Sequence, residues 1–276
     1  MFDIITFGSA TRDGFFEGIE FVEVEGREFR VGKGLCLPYG AKVDVPHVTF
    51  ATGGGGINTA VTFARQGLKT MVVCRVSNDV SGEEIIRGQK KEGVNTSFTQ
   101  IDKEVKTAYS VIFLTSEGER TILGYRGCAV NLSEKEIPWK KLKSKWFFIG
   151  PLSGNKTLLK MLLDYAKEHK IKVASTPGKA ELETLRENPS WLNYYDVFIL
   201  NQEEASFLTE IPYKKESEIF KKLDKLVNGI VVMTKGPEGV TVSDGKNLYA
   251  TGTYKEKRVV DRTGAGDAFL SFRAPG

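Results

Sequence analysis

The sequence predicts an α/β fold built on a mostly parallel β-sheet. Three observations predict it: short apolar runs alternate with helix-like stretches, glycine-rich turns follow several of these runs, and two segments with period-two alternation interrupt the rhythm. Ligands of such sheets bind beyond the carboxyl ends of the strands, so the turns at those ends are the candidate sites. The 276 residues are enough for one domain, and we expect residues 1–276 to form one.

The predicted strands are short apolar runs bounded by polar residues or glycine. They are Ile4 to Gly8, Thr70 to Val76, Trp146 to Ile149, Ile171 to Ser175, Val197 to Leu200 and Ile230 to Thr234. The predicted helices lie between them and carry apolar residues at helical spacing. They are Ile57 to Gln66, Gly82 to Lys91, Asn155 to Lys167, Ala180 to Glu187 and Glu203 to Leu208.

Two further regions alternate polar and apolar residues with a period of two, which indicates antiparallel hairpins. Residues 15–50 contain three such runs, at 19–25, 27–31 and 42–45. Residues 107–125 contain two, Tyr109 to Thr115 and Arg120 to Tyr125. These hairpins are expected to lie apart from the parallel sheet or at its edge.

A glycine-rich turn near the C-terminus has the layout of an anion site. A β-like run, Lys257 to Val260, leads through Asp261 into Gly-Ala-Gly at 264–266 and then into an apolar segment. Backbone amides at such a turn, together with a helix N-terminus, can converge on an oxyanion. Asp267 would lie beside the anion, where it can accept the proton of an attacking hydroxyl group. The alternative is a purely structural turn, in which Thr263 caps the helix and Asp267 balances its dipole.

A second glycine cluster, Thr52 to Ala60, leads directly into an amphipathic helix. A turn between a strand and a helix with an exposed backbone suits a polyhydroxylated ligand, because each amide can donate to a hydroxyl group. Asn58 adds a side chain that both donates and accepts hydrogen bonds. The alternative is a turn whose glycines are merely permissive.

The ordered set of motifs resembles the PfkB/ribokinase family of carbohydrate and nucleoside kinases. Gly53-Gly54-x-Gly56-x-Asn58 is similar to the N-terminal signature of the family, and 261–267 matches its C-terminal signature Asp-x-x-Gly-Ala-Gly-Asp. Three shorter elements also resemble family elements in the same order. They are Gly8 to Asp13, Asn201 to Glu204, and Thr234 to Gly239. The first of them resembles the end of the first strand in the family.

The resemblance implies a ribokinase-like three-layer sandwich and ATP-dependent phosphorylation of a sugar hydroxyl group. A nucleoside kinase and a non-catalytic sugar- or nucleotide-binding protein are the alternatives. The implied catalytic residues are the base Asp267 and an anion hole of Gly264, Ala265 and Gly266. The implied binding residues are Asp13, Gly54, Gly55 and Asn58 for the acceptor, and Asn201, Glu204, Thr234, Lys235, Gly236 and Gly239 for the nucleotide. The implied cation ligands are Glu204 for Mg²⁺ through water, and Asp261 and Thr263 for a monovalent cation such as K⁺.

The resemblance also implies that segments of about 14–50 and 107–126 form a small β lid, which closes over the sugar or mediates a homodimer. An additional sheet edge without a moving part is the alternative. Family members continue with further helices after the C-terminal signature, so we expect these helices to be missing from a chain that ends at Gly276.

Composition narrows the function classes. A net charge of +4 suits an anionic ligand such as a nucleotide without establishing one. The basic run at 140–145 lacks interleaved aromatic residues, which argues against a nucleic-acid partner. Three scattered cysteines and two histidines argue against structural zinc and a disulfide framework. The N-terminus begins as a strand without a signal-peptide pattern, and no apolar run approaches membrane-spanning length, so we expect a cytoplasmic protein without a membrane partner.

Overall fold

A computed structural model describes residues 1–27, 29, 32–115, 120–253 and 269. The C-terminal signature, from Asp261 to Asp267, lies outside these residues. The predictions for Asp261, Thr263, Gly264, Ala265, Gly266 and Asp267 therefore stay predictions.

The strands and helices are numbered in chain order within the described ranges. The strands are β1 (Phe2–Phe7), β2 (Thr11–Glu17), β3 (Val22–Glu25), β4 (Lys33–Cys36), β5 (His47–Gly53), β6 (Thr70–Val73), β7 (Arg75–Ser77), β8 (Gln100–Asp102), β9 (Ala108–Leu114), β10 (Arg120–Tyr125), β11 (Ser144–Ile149), β12 (Lys172–Ser175), β13 (Val197–Asn201), β14 (Ile230–Thr234), β15 (Val240–Ser243) and β16 (Leu248–Thr251). The helices are α1 (Gly55–Arg65), α2 (Val80–Lys91), α3 (Lys156–Glu168), α4 (Lys179–Glu187), α5 (Gln202–Thr209) and α6 (Glu216–Leu226).

The main sheet has eight strands among the described residues, in the order β16-β15-β14-β13-β12-β11-β1-β6. Strands β6, β1, β11, β12, β13 and β14 pair in parallel, whereas β15 and β16 continue the sheet in antiparallel fashion. The predicted α/β fold with a mostly parallel sheet is thus confirmed. The carboxyl ends of the six parallel strands lie at one edge, where ligands of such sheets bind.

Both faces of the main sheet are covered, as buried parallel strands require. Ile5 and Phe7 of β1 belong to the larger buried cluster, which includes apolar residues of α3, α4, α5 and α6. Ile4 points to the other face and packs in a cluster with Phe63 of α1. Because successive side chains of a strand point to opposite faces, β1 supports two helical layers. This arrangement is the predicted three-layer sandwich.

The two hairpin regions meet in a separate sheet with the strand order β10-β9-β2-β5. This lid sheet begins at Thr11, slightly before the predicted segment, and β5 ends at Gly53. Strands β3 and β4 pair with each other as a hairpin outside it. The predicted strand at 42–45 is wrong, because these residues form no strand and lead into β5. The predicted single strand from Thr70 to Val76 is also wrong: it divides at Cys74, after which β7 pairs with β8.

Within the described ranges, none of the helices combines the length and the apolar character that crossing a membrane requires.

Candidate functional site

The glycine cluster that follows Thr52 connects the lid sheet to helix α1 through a single residue. Strand β5 ends at Gly53 and α1 begins at Gly55, so that only Gly54 lies between them. Gly54 has φ of 100°, and a Cβ atom there would lie 2.6 Å from the Ser9 carbonyl oxygen. A Cβ on Gly53 would overlap Asp13 Oδ2, and one on Gly56 would lie 2.8 Å from the backbone of Gly8. These three glycines are therefore required by close approach of the backbone.

Gly55 differs from its neighbours, because a Cβ there would meet only Pro151, at 3.4 Å. Its amide donates to Ser9 Oγ at 3.2 Å, and the amide of Gly56 donates to the Ser9 carbonyl at 3.1 Å. Both amides are thus engaged within the protein, and the acceptor-binding role of Gly55 stays a prediction. Ser9, which the sequence reasoning did not single out, holds the start of α1 against the end of β1.

Asp13 lies inside lid strand β2 rather than at the end of the first strand, where its motif was likened to a family element. It is in register with Ala51 of β5 and Ser110 of β9, so both neighbouring strands hold it in place. Its side chain is buried, and Oδ1 has no hydrogen-bond partner in the described part of the chain. Burial raises the pKa of the Asp13 carboxyl group, and the hydroxyl groups of Ser110 and Thr11 oppose this rise.

Asp13 and Asn58 line one cavity of about 460 Å³, which lies between the lid sheet and helices α1 and α2. This volume falls within the range of about 300–1,000 Å³ that small-molecule sites occupy. Gly53 also lines the cavity, whereas Gly54 and Gly55 do not. Its other lining residues are Phe15, Ala51, Thr52, Ile57, Val61, Thr62, Arg65, Gly88, Gln89, Lys91 and Glu92. We call this space the acceptor cavity, since it contains two of the predicted acceptor-binding residues.

A second cavity of about 200 Å³ adjoins the end of β1 and the lid strands. Ser9, Thr11 and Ser110 bring hydroxyl groups to it, and Arg126 brings a guanidinium group. Thr11 and Ser110 contact each other through their hydroxyl oxygens at 3.4 Å. Sequence reasoning missed these residues, because hydroxyl side chains near strand ends are common and only the pairing of β2 with β9 brings them together.

The predicted nucleotide-binding residues lie at the carboxyl edge of the main sheet. Asn201 ends β13 and is in register with Thr234, which ends β14. The side chain of Asn201 accepts from the Glu204 amide at 2.9 Å, and Glu204 Oε2 accepts from the Asn201 amide at 2.8 Å. This reciprocal pair is a capping box that starts α5. Burial raises the pKa of Glu204, and its hydrogen bond from the Asn201 amide opposes the rise.

Lys235 follows β14, and its ammonium group lies 3.3 Å from Glu216 Oε1 of α6. The same carboxylate accepts from the Thr241 hydroxyl at 2.8 Å. Gly236 and Gly239 have φ of 56° and 95°, and a Cβ on Gly239 would overlap the Thr251 carbonyl oxygen. The loop that was predicted to hold a nucleotide is therefore shaped by its glycines and held by an internal ion pair.

No group of three or more His, Cys, Asp or Glu residues within the described ranges could hold a metal ion. Glu204 is the residue predicted to act on Mg²⁺. It lies at the carboxyl edge of the main sheet, where burial disfavours its charged form and so raises its pKa. Such a carboxylate fits a cation that is held mainly by phosphate oxygens and water, as Mg²⁺ usually is in nucleotide sites.

Comparison with known proteins identifies the family. Residues 29–271 match the model of the pfkB family carbohydrate kinases. The chain belongs to this family. The deoxyribokinase of Salmonella typhi is 26% identical over 238 residues, which cover 84% of this chain and 76% of that protein. The ribokinase of Mus musculus is 27% identical over 79% of this chain and 68% of its own length. As a pfkB-family carbohydrate kinase, the chain is a phosphotransferase with an alcohol group as acceptor.

Solved structures share the fold. A putative ribokinase from Agrobacterium tumefaciens has a TM-score of 0.79 at 18% identity and covers 98% of this chain and 82% of its own. The nucleoside kinase of Burkholderia thailandensis, solved in complex with inosine, has a TM-score of 0.73 at 18% identity over 97% of this chain and 82% of its own. At these identities the likeness establishes the ribokinase-like fold.

Proposed function

We propose that this protein transfers a phosphoryl group from ATP to a hydroxyl group of a sugar bound in the acceptor cavity. The observation that carries this proposal is the buried Asp13 carboxylate, whose Oδ1 is unpaired among the described residues and which lines the same cavity as Asn58. An unpaired buried carboxylate is costly by itself, and sugar hydroxyl groups can supply its missing hydrogen bonds. The two relatives named above are a deoxyribokinase and a ribokinase, which supports a sugar acceptor.

The proposed donor site is the sheet edge formed by Asn201, Glu204, Thr234 and the loop from Lys235 to Gly239. Register between Asn201 and Thr234 supports a shared site, because it brings the two motifs side by side. A carboxylate next to a triphosphate requires a cation between them, so Glu204 would act on Mg²⁺ through water. Mg²⁺ neutralises charge on the phosphates, while the protein residues position the nucleotide.

Asp267 is proposed as the general base that takes the proton of the attacking hydroxyl group, and the amides of Gly264, Ala265 and Gly266 as donors to the transferring phosphoryl group. Asp261 and Thr263 would contribute to a K⁺ site beside them. These roles rest on the sequence of the C-terminal signature, which the family match includes.

A nucleoside acceptor is the second candidate. It is supported by Phe15, Ile57 and Val61, which give the acceptor cavity an apolar wall suited to a nucleobase. The two candidates separate in a screen of ADP release over pentoses, hexoses, keto-deoxy acids and nucleosides. Turnover of sugars with nucleosides inactive supports the main proposal, and the reverse supports the second.

The control for this screen is Asp267→Asn, which keeps the size of the side chain but removes the basic oxygen. We expect turnover to fall by about 10²–10⁴-fold while the acceptor still binds in calorimetry. Turnover close to that of the unmodified protein would refute the assignment of Asp267 as the base.

The lid sheet is also proposed as a homodimer interface. Its edge strands β5 and β10 carry exposed apolar side chains on one face of the sheet, namely Val48, Phe50, Leu123 and Tyr125. An exposed apolar patch of this kind typically marks an interaction surface. Light scattering coupled to size-exclusion chromatography, with Leu123→Lys as the variant, would test it. A monomer for the unmodified protein contradicts the proposal.

A further inference from the structure

Gln89 occupies a position on α2 where an apolar residue would be expected. It lies four residues after Ile85 and therefore on the same face of the helix, which packs against β2 and β5. Its side chain is 1% exposed. Neither Nε2 nor Oε1 has a hydrogen-bond partner in the described part of the chain. Both hydrogen-bonding atoms of the amide are thus buried and unpaired.

Such an arrangement is costly for folding. A buried, unpaired polar group destabilises a protein, whereas leucine at the same site would bury apolar surface. Gln100 is another buried glutamine of this chain, and its side-chain amide is paired. Its Nε2 donates to the Ser133 carbonyl at 2.7 Å, and its Oε1 accepts from the Ser133 amide at 2.9 Å. The hydrogen bonds of Gln100 are thus made within the protein. The unpaired amide of Gln89 indicates, by contrast, a hydrogen-bond partner outside the protein.

The acceptor cavity supplies the place for that partner, because Gln89 lines it together with Asp13 and Asn58. Asp13 also has an unpaired oxygen. Strand β2 of the lid and helix α2 therefore each bring to this cavity a residue with unsatisfied polar atoms. Asp13 Oδ1, when ionised, can only accept hydrogen bonds, whereas the amide needs both a donor and an acceptor. A hydroxyl group is the smallest ligand group that offers both.

We propose that Gln89 binds the acceptor and determines specificity, by hydrogen bonding to a hydroxyl group of the sugar on the α2 wall of the cavity. This inference rests on the proposed function and extends it: the acceptor is a polyhydroxylated sugar with hydroxyl groups toward both Asp13 and Gln89. Phe15, Ile57 and Val61 also line the cavity, and their apolar side chains suit contact with the C–H groups of a sugar.

The charged residues Arg65, Glu92 and Lys91 also line this cavity, but their charges do not determine which acceptor binds. Arg65 and Glu92 are joined by two hydrogen bonds, at 2.7 and 2.8 Å, and so largely neutralise each other. Lys91 is exposed, where solvent and salt screen its charge. The discrimination among acceptors therefore depends on hydrogen bonds to Asp13, Asn58 and Gln89.

The test compares Gln89→Leu with the matched control Gln100→Leu. Gln89→Leu removes an unsatisfied amide, so we expect a higher melting temperature, an unchanged KM for ATP and a KM for the preferred sugar that rises about tenfold or more. Gln100→Leu breaks satisfied hydrogen bonds, so we expect a lower melting temperature and an unchanged sugar KM. A residue with only a packing role would not combine greater stability with weaker acceptor binding.

Monodeoxy analogues of the preferred sugar identify the hydroxyl group. With the unmodified protein, the KM of one analogue should be about tenfold higher than the KM of the parent sugar. With Gln89→Leu, that analogue and the parent sugar should have equal KM values. A Gln89→Leu variant with unchanged sugar KM, or one that affects nucleosides alone, overturns the inference.

Failure of the proposed function is distinguishable from failure of this inference. If no acceptor is phosphorylated, calorimetry with the same sugars still measures binding to the unmodified protein and to Gln89→Leu. Weaker sugar binding by the variant supports the role of Gln89 even then. Equal sugar binding, or none to either protein, refutes it.

Discussion

The acceptor cavity differs in the pairing of its polar groups from the two segments predicted to bind the nucleotide, Asn201 to Glu204 and Thr234 to Gly239, which we call the nucleotide loops. At the acceptor cavity, Asp13 and Gln89 are buried with polar atoms that no described residue satisfies. At the nucleotide loops, Asn201 and Glu204 satisfy each other's backbone, and Lys235 is paired with Glu216. The first region contains polar atoms that a ligand would satisfy, whereas the second is already satisfied within the protein.

This difference bears on how a sequence motif is interpreted. The Asn-x-x-Glu element serves as a capping box whether or not a nucleotide binds, so its presence alone is weak evidence for a ligand. An unsatisfied buried amide or carboxylate has no such structural function, and it is stronger evidence for a ligand. Substitutions at the acceptor cavity should therefore mainly change ligand binding, whereas loss of a capping group at the nucleotide loops should also lower stability.

The largest expected effect is that of Gly54→Ala, compared with Gly55→Ala in the same run. Positive φ and contact with the Ser9 carbonyl should lower the free energy of unfolding by about 2–5 kcal/mol for Gly54→Ala. Gly55 has no such constraint, so Gly55→Ala should stay within about 1 kcal/mol of the unmodified protein. Urea unfolding of both variants measures the difference. Equal effects would contradict the view that the backbone contact with Ser9 determines this turn.

Asp13→Asn is expected to weaken acceptor binding while stabilising the fold at neutral pH. Loss of a charged hydrogen-bond acceptor should raise the sugar KM by about tenfold to a hundredfold and leave the ATP KM unchanged. The variant lacks a charge whose burial is unfavourable, so its melting temperature should rise. Steady-state kinetics and thermal unfolding measure the two effects. A rise confined to the ATP KM would assign Asp13 to the nucleotide side.

The stability difference between these two proteins should depend on pH. Burial raises the pKa of Asp13 above its ordinary value of 3.8, so the folded state retains its proton to higher pH than the unfolded state does. The unmodified protein therefore loses stability relative to Asp13→Asn as pH rises from 3.8 toward the raised pKa of the folded state, and well below pH 3.8 the difference stops changing with pH. Unfolding of both proteins in a series of buffers measures this. A constant difference at every pH would contradict the buried, unpaired state of the carboxyl group.

The smallest expected effect is that of Glu204→Gln, which keeps the capping hydrogen bond and removes the charge. If Glu204 acts on Mg²⁺, the Mg²⁺ concentration for half-maximal rate should rise several-fold, about 1 kcal/mol in binding. Glu204→Ala would in addition lose the cap, at about 1 kcal/mol of stability. Mg²⁺ titration of the rate with both variants tests this. If only Glu204→Ala differs from the unmodified protein, Glu204 is a capping residue alone.

Local patterns were sufficient to predict the central elements. Strands β1, β11, β12, β13 and β14 and helices α1 to α5 lie within about two residues of their predicted ends, because each combines an apolar period with turn residues at its boundaries. Helix α6 was missed although Ile219, Phe220 and Leu223 are buried at helical spacing. Its pattern was available in the sequence and was not recognised.

The rest depends on contacts between distant segments. Asp13 was assigned to the end of the first strand, because no local signal shows that β2 pairs with both β5 and β9. Gln89 resembles a solvent-facing residue in a helix rich in charged residues, and only packing of α2 on the lid sheet buries it. Ser9 likewise acquires its role from Gly55 and Gly56, far along the chain. Site residues fixed by such long-range pairing cannot be found from local spacing.

The single-residue connection at Gly54 has a mechanical consequence. Thr11 of β2 is in register with Gly53, so the two lid strands are paired up to the point where only Gly54 separates them from α1. The other short connection, from Phe7 of β1 to Thr11 of β2, passes through Ser9, which holds the first turn of α1. Gly54 and the segment around Ser9 are therefore the points about which a rotation of the lid sheet relative to α1 would occur. Such a rotation would move Asp13, which lies on β2, relative to Asn58, which lies on α1, and so change the width of the acceptor cavity between them.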